Sequence, residues 1–242
     1  MSSTGKVVLI AGGTGGLGLS VTLAFLAEGA SVHVTYQSSS AWQRLKSAAA
    51  SPAPSPGAGS LEGFSVDVTQ EEAVERLVEG IVARFGRLDA LVNTVGAYAG
   101  GTKLWDLDPK VLDRMFALNF RSGFVLARVA ARQMLKQSRG SIINVAAKAA
   151  FDHPAGAAAY AASKAAAVAM IDSLAADLKG TGVRANSVIP SIIDTEANRK
   201  AMPSADFSKW PKPEDIARVI LFLAGDSSKL IHGASIPVFG DS

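Results

Sequence analysis

The chain has 242 residues, of which 48% are hydrophobic and 19% charged, with a formal net charge of +3 and no cysteine. That is enough apolar material for one large globular domain, and it excludes disulfides, thiol nucleophiles and cysteine-ligated zinc. The positive excess is scattered, with no basic block of the kind that meets nucleic acid.

The three histidines, His33, His153 and His232, lack metal-ligand spacing, so no metal is expected. No stretch reaches the roughly 18 uncharged apolar residues of a membrane span. The alanine-rich run at 155–178 is interrupted by Tyr160, Lys164, Asp172 and Asp177. The start breaks from a short apolar run into glycine, unlike a signal peptide. Together these features predict a cytoplasmic protein that uses neither a membrane nor nucleic acid as a partner.

In chain order, residues 7–11 read as a first strand and 17–28 as a helix stopped by Gly29. A second strand is expected at 32–36, then a weak helix near 42–50. Residues 51–60 (Ser-Pro-Ala-Pro-Ser-Pro-Gly-Ala-Gly-Ser) form a low-complexity loop, expected to be mobile and not a domain boundary. A third strand is expected at 64–66, a helix at 71–85 and a fourth strand at 90–93. A long helix at 109–136 leads to a fifth strand at 141–145. A second long helix, about 155–179, leads to a sixth strand at 184–188. A helix at 213–224 and a strand at 235–238 complete the pattern. Strands alternating with helices of ten residues or more predict βαβ units: a single-domain Rossmann fold spanning 1–242, with about seven parallel strands and helices on both faces.

Ala11-Gly12-Gly13-Thr14-Gly15-Gly16-Leu17-Gly18 follows the first strand and opens the first helix. Glycines there permit a tight turn and let backbone approach a pyrophosphate, while the helix start offers free N–H groups. Tyr36 and Gln37 stand where an NAD-selective site carries a carboxylate for the ribose 2′-hydroxyl. With Ser38, Ser39 and Ser40 beyond them and Arg44 and Lys46 nearby, the absence of that carboxylate favours NADP(H) over NAD(H).

Tyr160-Ala-Ala-Ser163-Lys164 lies inside the second long helix. Spacing i, i+4 puts Tyr160 and Lys164 on one face. A nearby ammonium favours tyrosinate, so the pair predicts a phenol of lowered pKa, usable in acid–base chemistry.

Here the chain resembles the short-chain dehydrogenase/reductase family over essentially its full length. The resemblance implies an NAD(P)-dependent oxidoreductase with a small-molecule substrate, Tyr160, Lys164 and Asn119 in catalysis, and a homodimer or homotetramer packed through the long helices. It matches Gly12, Gly16 and Gly18 to the cofactor glycines, with Thr14, Gly15 and Leu17 in the same turn. Asp67, followed by Val68, matches the residue contacting adenine. Asn93 and Gly96 match the segment after strand four, and Asn119 the asparagine that helps hold a proton-relay water. Pro190, Ile193 and Thr195 match the segment beside the nicotinamide, where Ser191 replaces a glycine. A variable substrate loop is implied at about 191–212.

One departure stands out. The family's serine, which polarises a substrate carbonyl, falls on Ala147, thirteen residues before Tyr160. Losing such a donor costs on the order of 10²–10³ in rate where the chemistry needs it. Segments 96–101, 146–152 and 198–210 resemble the dihydropteridine reductases, members that also lack the serine. That resemblance implies a quinonoid dihydropteridine as acceptor, with Ala147, Lys148, Tyr98, Trp105 and Phe151 as substrate-side residues and Phe207 and Trp210 as further aromatic candidates. The alternatives are a carbonyl or 3-oxoacyl reductase with a substitute donor, or a non-catalytic nucleotide sensor.

Overall fold

The computed structural model describes residues 5–50 and 59–242; positions 51–58 of the expected mobile loop lie outside them. The first half of the chain runs β1 (Val7–Ala11), α1 (Gly16–Ala27), β2 (Ser31–Tyr36), α2 (Ser39–Ala49), β3 (Ser60–Ser65), α3 (Glu71–Phe85) and β4 (Ala90–Asn93). Then come α4 (Pro109–Phe116), α5 (Ser122–Gln137), β5 (Gly140–Val145), α6 (Ala149–Asp152) and α7 (Ala158–Asp177). The last elements are β6 (Val183–Pro190), α8 (Glu196–Ala201), α9 (Pro213–Ala224) and β7 (Ser235–Val238).

β1 and β4 are buried at every position. Strands buried on both faces need helices above and below, which is the setting of a parallel sheet. The seven strands pair in the order β3-β2-β1-β4-β5-β6-β7, and every pairing is parallel. α1 and α9 cover one face through Val21, Phe25, Ile216, Ile220 and Leu223. α3, α5 and α7 cover the other through Leu77, Ile81, Leu126, Met134 and Ile171. The order reverses between β1 and β4, and that reversal opens a crevice at the carboxyl ends of the strands.

Three expected elements differ. The helix expected at 109–136 is split: α4 and α5 are joined by one π-type turn, Ala117–Arg121. One extra residue in a turn leaves the apolar period almost unchanged, so periodicity does not reveal it. Ser122 Oγ donates to the Leu118 carbonyl at 2.6 Å within that turn, and such turns are frequent at functional sites. The helix expected from about 155 begins at Ala158, because His153 (φ 48°) and Gly156 (φ 76°) take left-handed conformations ahead of it. The third strand, expected at 64–66, is β3. As an edge strand it tolerates Glu62 and Gly63, and the Trp42 ring lies 2.7 Å from where a Gly63 β-carbon would stand.

Candidate active site

The turn after β1 closes on itself. The Gly15 N–H donates to the Gly12 carbonyl at 3.0 Å, and Gly12 holds φ +76°. A β-carbon on Gly18 would stand 2.1 Å from that same carbonyl oxygen, and one on Gly16 would stand 2.9 Å from Thr195 Cγ2. Side chains are therefore excluded where a pyrophosphate would approach. α1 starts with Gly15 as its cap, with no side-chain acceptor and no acidic residue in the first turn. Its first N–H groups and positive dipole end suit a dinucleotide phosphate. Thr14 is half-buried beside them and Leu17 is buried.

At the end of β2, the Tyr36 and Trp42 rings stack at 5.4 Å, almost parallel. Gln37 Nε2 donates to the Val66 carbonyl at 3.0 Å. Ser38 Oγ caps α2 by accepting from the Ala41 N–H at 3.3 Å and lies 2.8 Å from Ser40 Oγ. Asp67 accepts from the Thr69 N–H at 2.9 Å and its hydroxyl at 2.7 Å, which holds the carboxyl below its ordinary pKa. Val68 is buried.

Asn93 is buried and belongs to the scaffold. Its Nδ2 donates to Asn144 Oδ1 at 2.9 Å, and its Oδ1 accepts from the Val95 N–H at 3.1 Å. The next residue, Thr94, donates through Oγ1 to the Ala11 carbonyl at 2.7 Å, so the loops after β1 and β4 are tied together.

Tyr160, Lys164, Asn119 and Gly96 converge at the carboxyl ends of β4 and β5. Asn119 sits in the π-type turn. Its Oδ1 accepts from the Ala97 N–H at 2.9 Å, and its Nδ2 donates to the Ala97 carbonyl and to Ser163 Oγ, both at 3.0 Å. The carboxamide thus pins the loop after β4 to α7. Ser163, part of the Tyr-Lys motif, was not assigned a role by sequence reasoning. Here it links Asn119 to the Tyr160 carbonyl, donating to it at 2.8 Å.

The expected lowering of the Tyr160 pKa is not found. Lys164 Nζ donates to the Val145 carbonyl at 3.0 Å, and no hydrogen bond joins it to the phenol among the described residues. Burial alone lowers Lys164 to about 8. Burial, followed by the neighbouring Tyr98, raises Tyr160 to about 12. The phenol therefore keeps its proton at neutral pH, which is the state a proton donor requires.

The substrate-side candidates divide. Tyr98 meets Tyr160 edge to face, with ring centroids 5.0 Å apart. Ala147 is buried and presents only a methyl group. Lys148 is held by other groups: its Nζ donates to the Ser242 carbonyl at 3.2 Å and lies 3.7 Å from Asp152. Trp105 is 81% exposed and Phe151 51%. Trp210 is buried against Phe207 at 5.0 Å, a packing role. Pro190 accepts from the Lys148 N–H at 2.8 Å. The Ile193 carbonyl accepts from Asn198 Nδ2 at 2.8 Å, and Thr195 caps α8 by accepting from the Asn198 N–H at 3.2 Å.

Known proteins resemble this chain over its length. Residues 6–206 match the family model described as short chain dehydrogenase. A 3-oxoacyl-acyl-carrier-protein reductase of Thermotoga maritima is 32% identical, covering 99% of this chain and 98% of that one. A meso-2,3-butanediol dehydrogenase of Serratia marcescens is 32% identical, covering 97% and 93%. A solved short-chain dehydrogenase/reductase from Serratia marcescens superposes with a TM-score of 0.88 at 34% identity, covering 100% and 99%. The chain belongs to the short-chain dehydrogenase/reductase family and is an NAD(P)-dependent oxidoreductase. No helix among the described residues is long and apolar enough to cross a membrane.

Proposed function

We propose that this oxidoreductase reduces a small, conjugated, electron-poor acceptor, with a quinonoid dihydropteridine as the member of that class to test, and that it prefers NADPH to NADH. The observation that carries this reading is Ala147. A ketone becoming an alcohol builds charge on one oxygen, and a hydroxyl donor at that spot is worth on the order of 10²–10³ in rate. A methyl group gives no such help, and Lys148, the nearest candidate substitute, is committed to Ser242 and Asp152. A quinonoid imine accepts hydride and a proton without concentrating charge on one oxygen. The resemblance of 198–210 to the dihydropteridine reductases points the same way.

The bound nicotinamide supplies the hydride. Tyr160 holds the proton and gives it to the acceptor. Lys164 holds the cofactor ribose. Asn119 fixes the loop after β4 against both. Gly12, Gly15, Gly16 and Gly18 admit the pyrophosphate, and Asp67 and Val68 border the adenine. Ser38 and Ser40 offer hydroxyls to a 2′-phosphate where Tyr36 brings no charge against it. Residues 191–212 form the substrate loop. The protein works as a homodimer or homotetramer in the cytoplasm.

The names of the relatives favour a second reading, a carbonyl or alcohol oxidoreductase. An Ala147→Ser variant separates the two. Under the first reading it gains nothing on ketones while dihydropterin turnover stays high; a large gain on ketones favours the second. A wild-type enzyme that already reduces ketones or 3-oxoacyl thioesters faster than dihydropterin establishes the second.

A further inference from the structure

Two polar residues flank the reacting centre: Lys148, next to the missing serine, and Ser191, which stands where the family resemblance has a glycine. Both reach the same two residues, Phe239 and Ser242, at the ends of one short segment. Lys148 Nζ donates to the Ser242 carbonyl at 3.2 Å and lies 5.1 Å from the centre of the Phe239 ring. Ser191 Oγ donates to the Phe239 carbonyl at 2.6 Å and stands 2.7 Å from Ser242 Oγ. Segment 239–242 then grips the far end of the substrate loop. The Asp241 N–H donates to the Lys209 carbonyl at 3.0 Å. Gly240, at φ +62°, comes so close that a β-carbon would stand 2.8 Å from that carbonyl and 3.1 Å from the Pro211 nitrogen.

The loop is closed at its root as well, where the Asp194 N–H donates to the Pro211 carbonyl at 3.0 Å. Phe239 packs against the small cluster of Ala146, Ala150, Val168 and Ile189, which includes neighbours of Ala147 and Pro190. Segment 239–242 is thus the piece between the wall after β5, the wall after β6 and residues 209–211.

We propose that segment 239–242 braces the acceptor side of the active site, and that Lys148 and Ser191 are positioning residues which, through it, hold the substrate loop in place. The proposal rests on reading 191–212 as the substrate loop, not on the identity of the acceptor. It accounts for the direction of Lys148: the ammonium fastens the brace and does not polarise substrate. A loop held at 191 and 209 by a third segment, and closed on itself at 194, has fewer conformations to lose when substrate binds, so the brace acts on acceptor affinity. The cofactor's phosphate and adenosine contacts, at α1 and after β2, lie apart from the brace; only the nicotinamide segment 190–195 adjoins it.

The test pairs hydrogen exchange with kinetics on wild type, Ser191→Ala, Lys148→Met and Lys148→Arg. Met keeps the aliphatic stem over Phe239 and removes the donor; Arg restores a donor. Expected is faster exchange in 194–211, by about tenfold, in the Ala and Met variants, with β1, β4 and β5 unchanged and Arg close to wild type. With any acceptor that turns over, its KM rises about fivefold, well beyond any change in kcat or in cofactor Kd. Unaltered exchange at 194–211 overturns the proposal. So does a rise spread equally through the sheet, which assigns the contacts to general stability. Exchange needs no acceptor, so a failure of the dihydropteridine reading leaves this test standing.

Discussion

Lys164 Nζ lies 3.1 Å from the point where a β-carbon on Gly96 would stand, and Asn119 Oδ1 lies 2.9 Å from the same point. The bare α-carbon of Gly96 is what lets the ammonium and the carboxamide approach one spot. Gly96→Ala must displace one of them. A misplacement of about 1 Å costs about 10²-fold in rate, so kcat/KM should fall by that order in steady-state assays. Gly80→Ala is the control. Gly80 sits inside α3 with nothing within 4 Å of the added carbon, so the variant should gain about 0.5–1 kcal/mol in urea melts and keep full activity.

Burial of Lys164 makes stability depend on pH. Its pKa is about 8 in the folded chain against 10.5 ordinarily. Between those values the unfolded chain binds the proton and the folded chain does not, so stability rises with pH across that window. Below pH 8 the full cost stands, on the order of 3 kcal/mol. Lys164→Met removes that cost and leaves the Val145 carbonyl without its donor, a loss of about 1–2 kcal/mol. The variant should be the more stable protein at pH 7, by about 1–2 kcal/mol in urea melts. Its advantage should vanish by pH 10, with activity down by at least about 10² throughout.

Tyr160, at about 12, stays protonated over the working range. The pH profile of kcat/KM for reduction should therefore show no limb from the phenol below pH 10. The first descending limb should lie near 8, reporting Lys164. Lys164→Arg should move that limb upward, because a guanidinium keeps its charge. Tyr160→Phe should lose about 10²–10⁴ in kcat with cofactor Kd unchanged.

Cofactor choice is testable without turnover. Fluorescence titration should give NADPH a Kd about tenfold below that of NADH. Tyr36→Asp places a carboxylate where the 2′-phosphate would sit and should reverse the order. Equal Kd values in the wild type contradict the proposed preference.

Assembly has its own signature. Phe116, Phe120 and Phe124 form a ladder along one helical face, with centroids 6.2 and 6.4 Å apart, and Phe124 is 42% exposed. A row of aromatics left at a surface marks an association site. Sedimentation should show a dimer or tetramer for the wild type and a smaller species for Phe124→Glu.

Much of this was legible in the sequence. The core strands β1, β4 and β5 carry short apolar β-branched runs, and the glycine turn and the Tyr160-Lys164 spacing need no tertiary context to be read. What was not legible depends on contacts between distant segments. The π-type turn at Asn119 hides inside a continuous helical pattern. The i, i+4 rule placed Lys164 on the face of Tyr160, but the Val145 carbonyl, nineteen residues upstream, takes its ammonium, and burial drives the phenol up, not down. The exposure of Trp105 and Phe151 is likewise a tertiary property that their aromatic character does not reveal. Segment 239–242 carries no motif at all; its position becomes visible once Lys148 and Ser191 are seen to reach it.

The most direct measurement is steady-state oxidation of NADPH and NADH in parallel, with quinonoid dihydropterin generated in the assay and Tyr160→Phe as control. Rapid turnover with NADPH, abolished in the variant, is the predicted result. Clear cofactor binding with no dihydropterin turnover, alongside brisk reduction of ketones, would contradict the account.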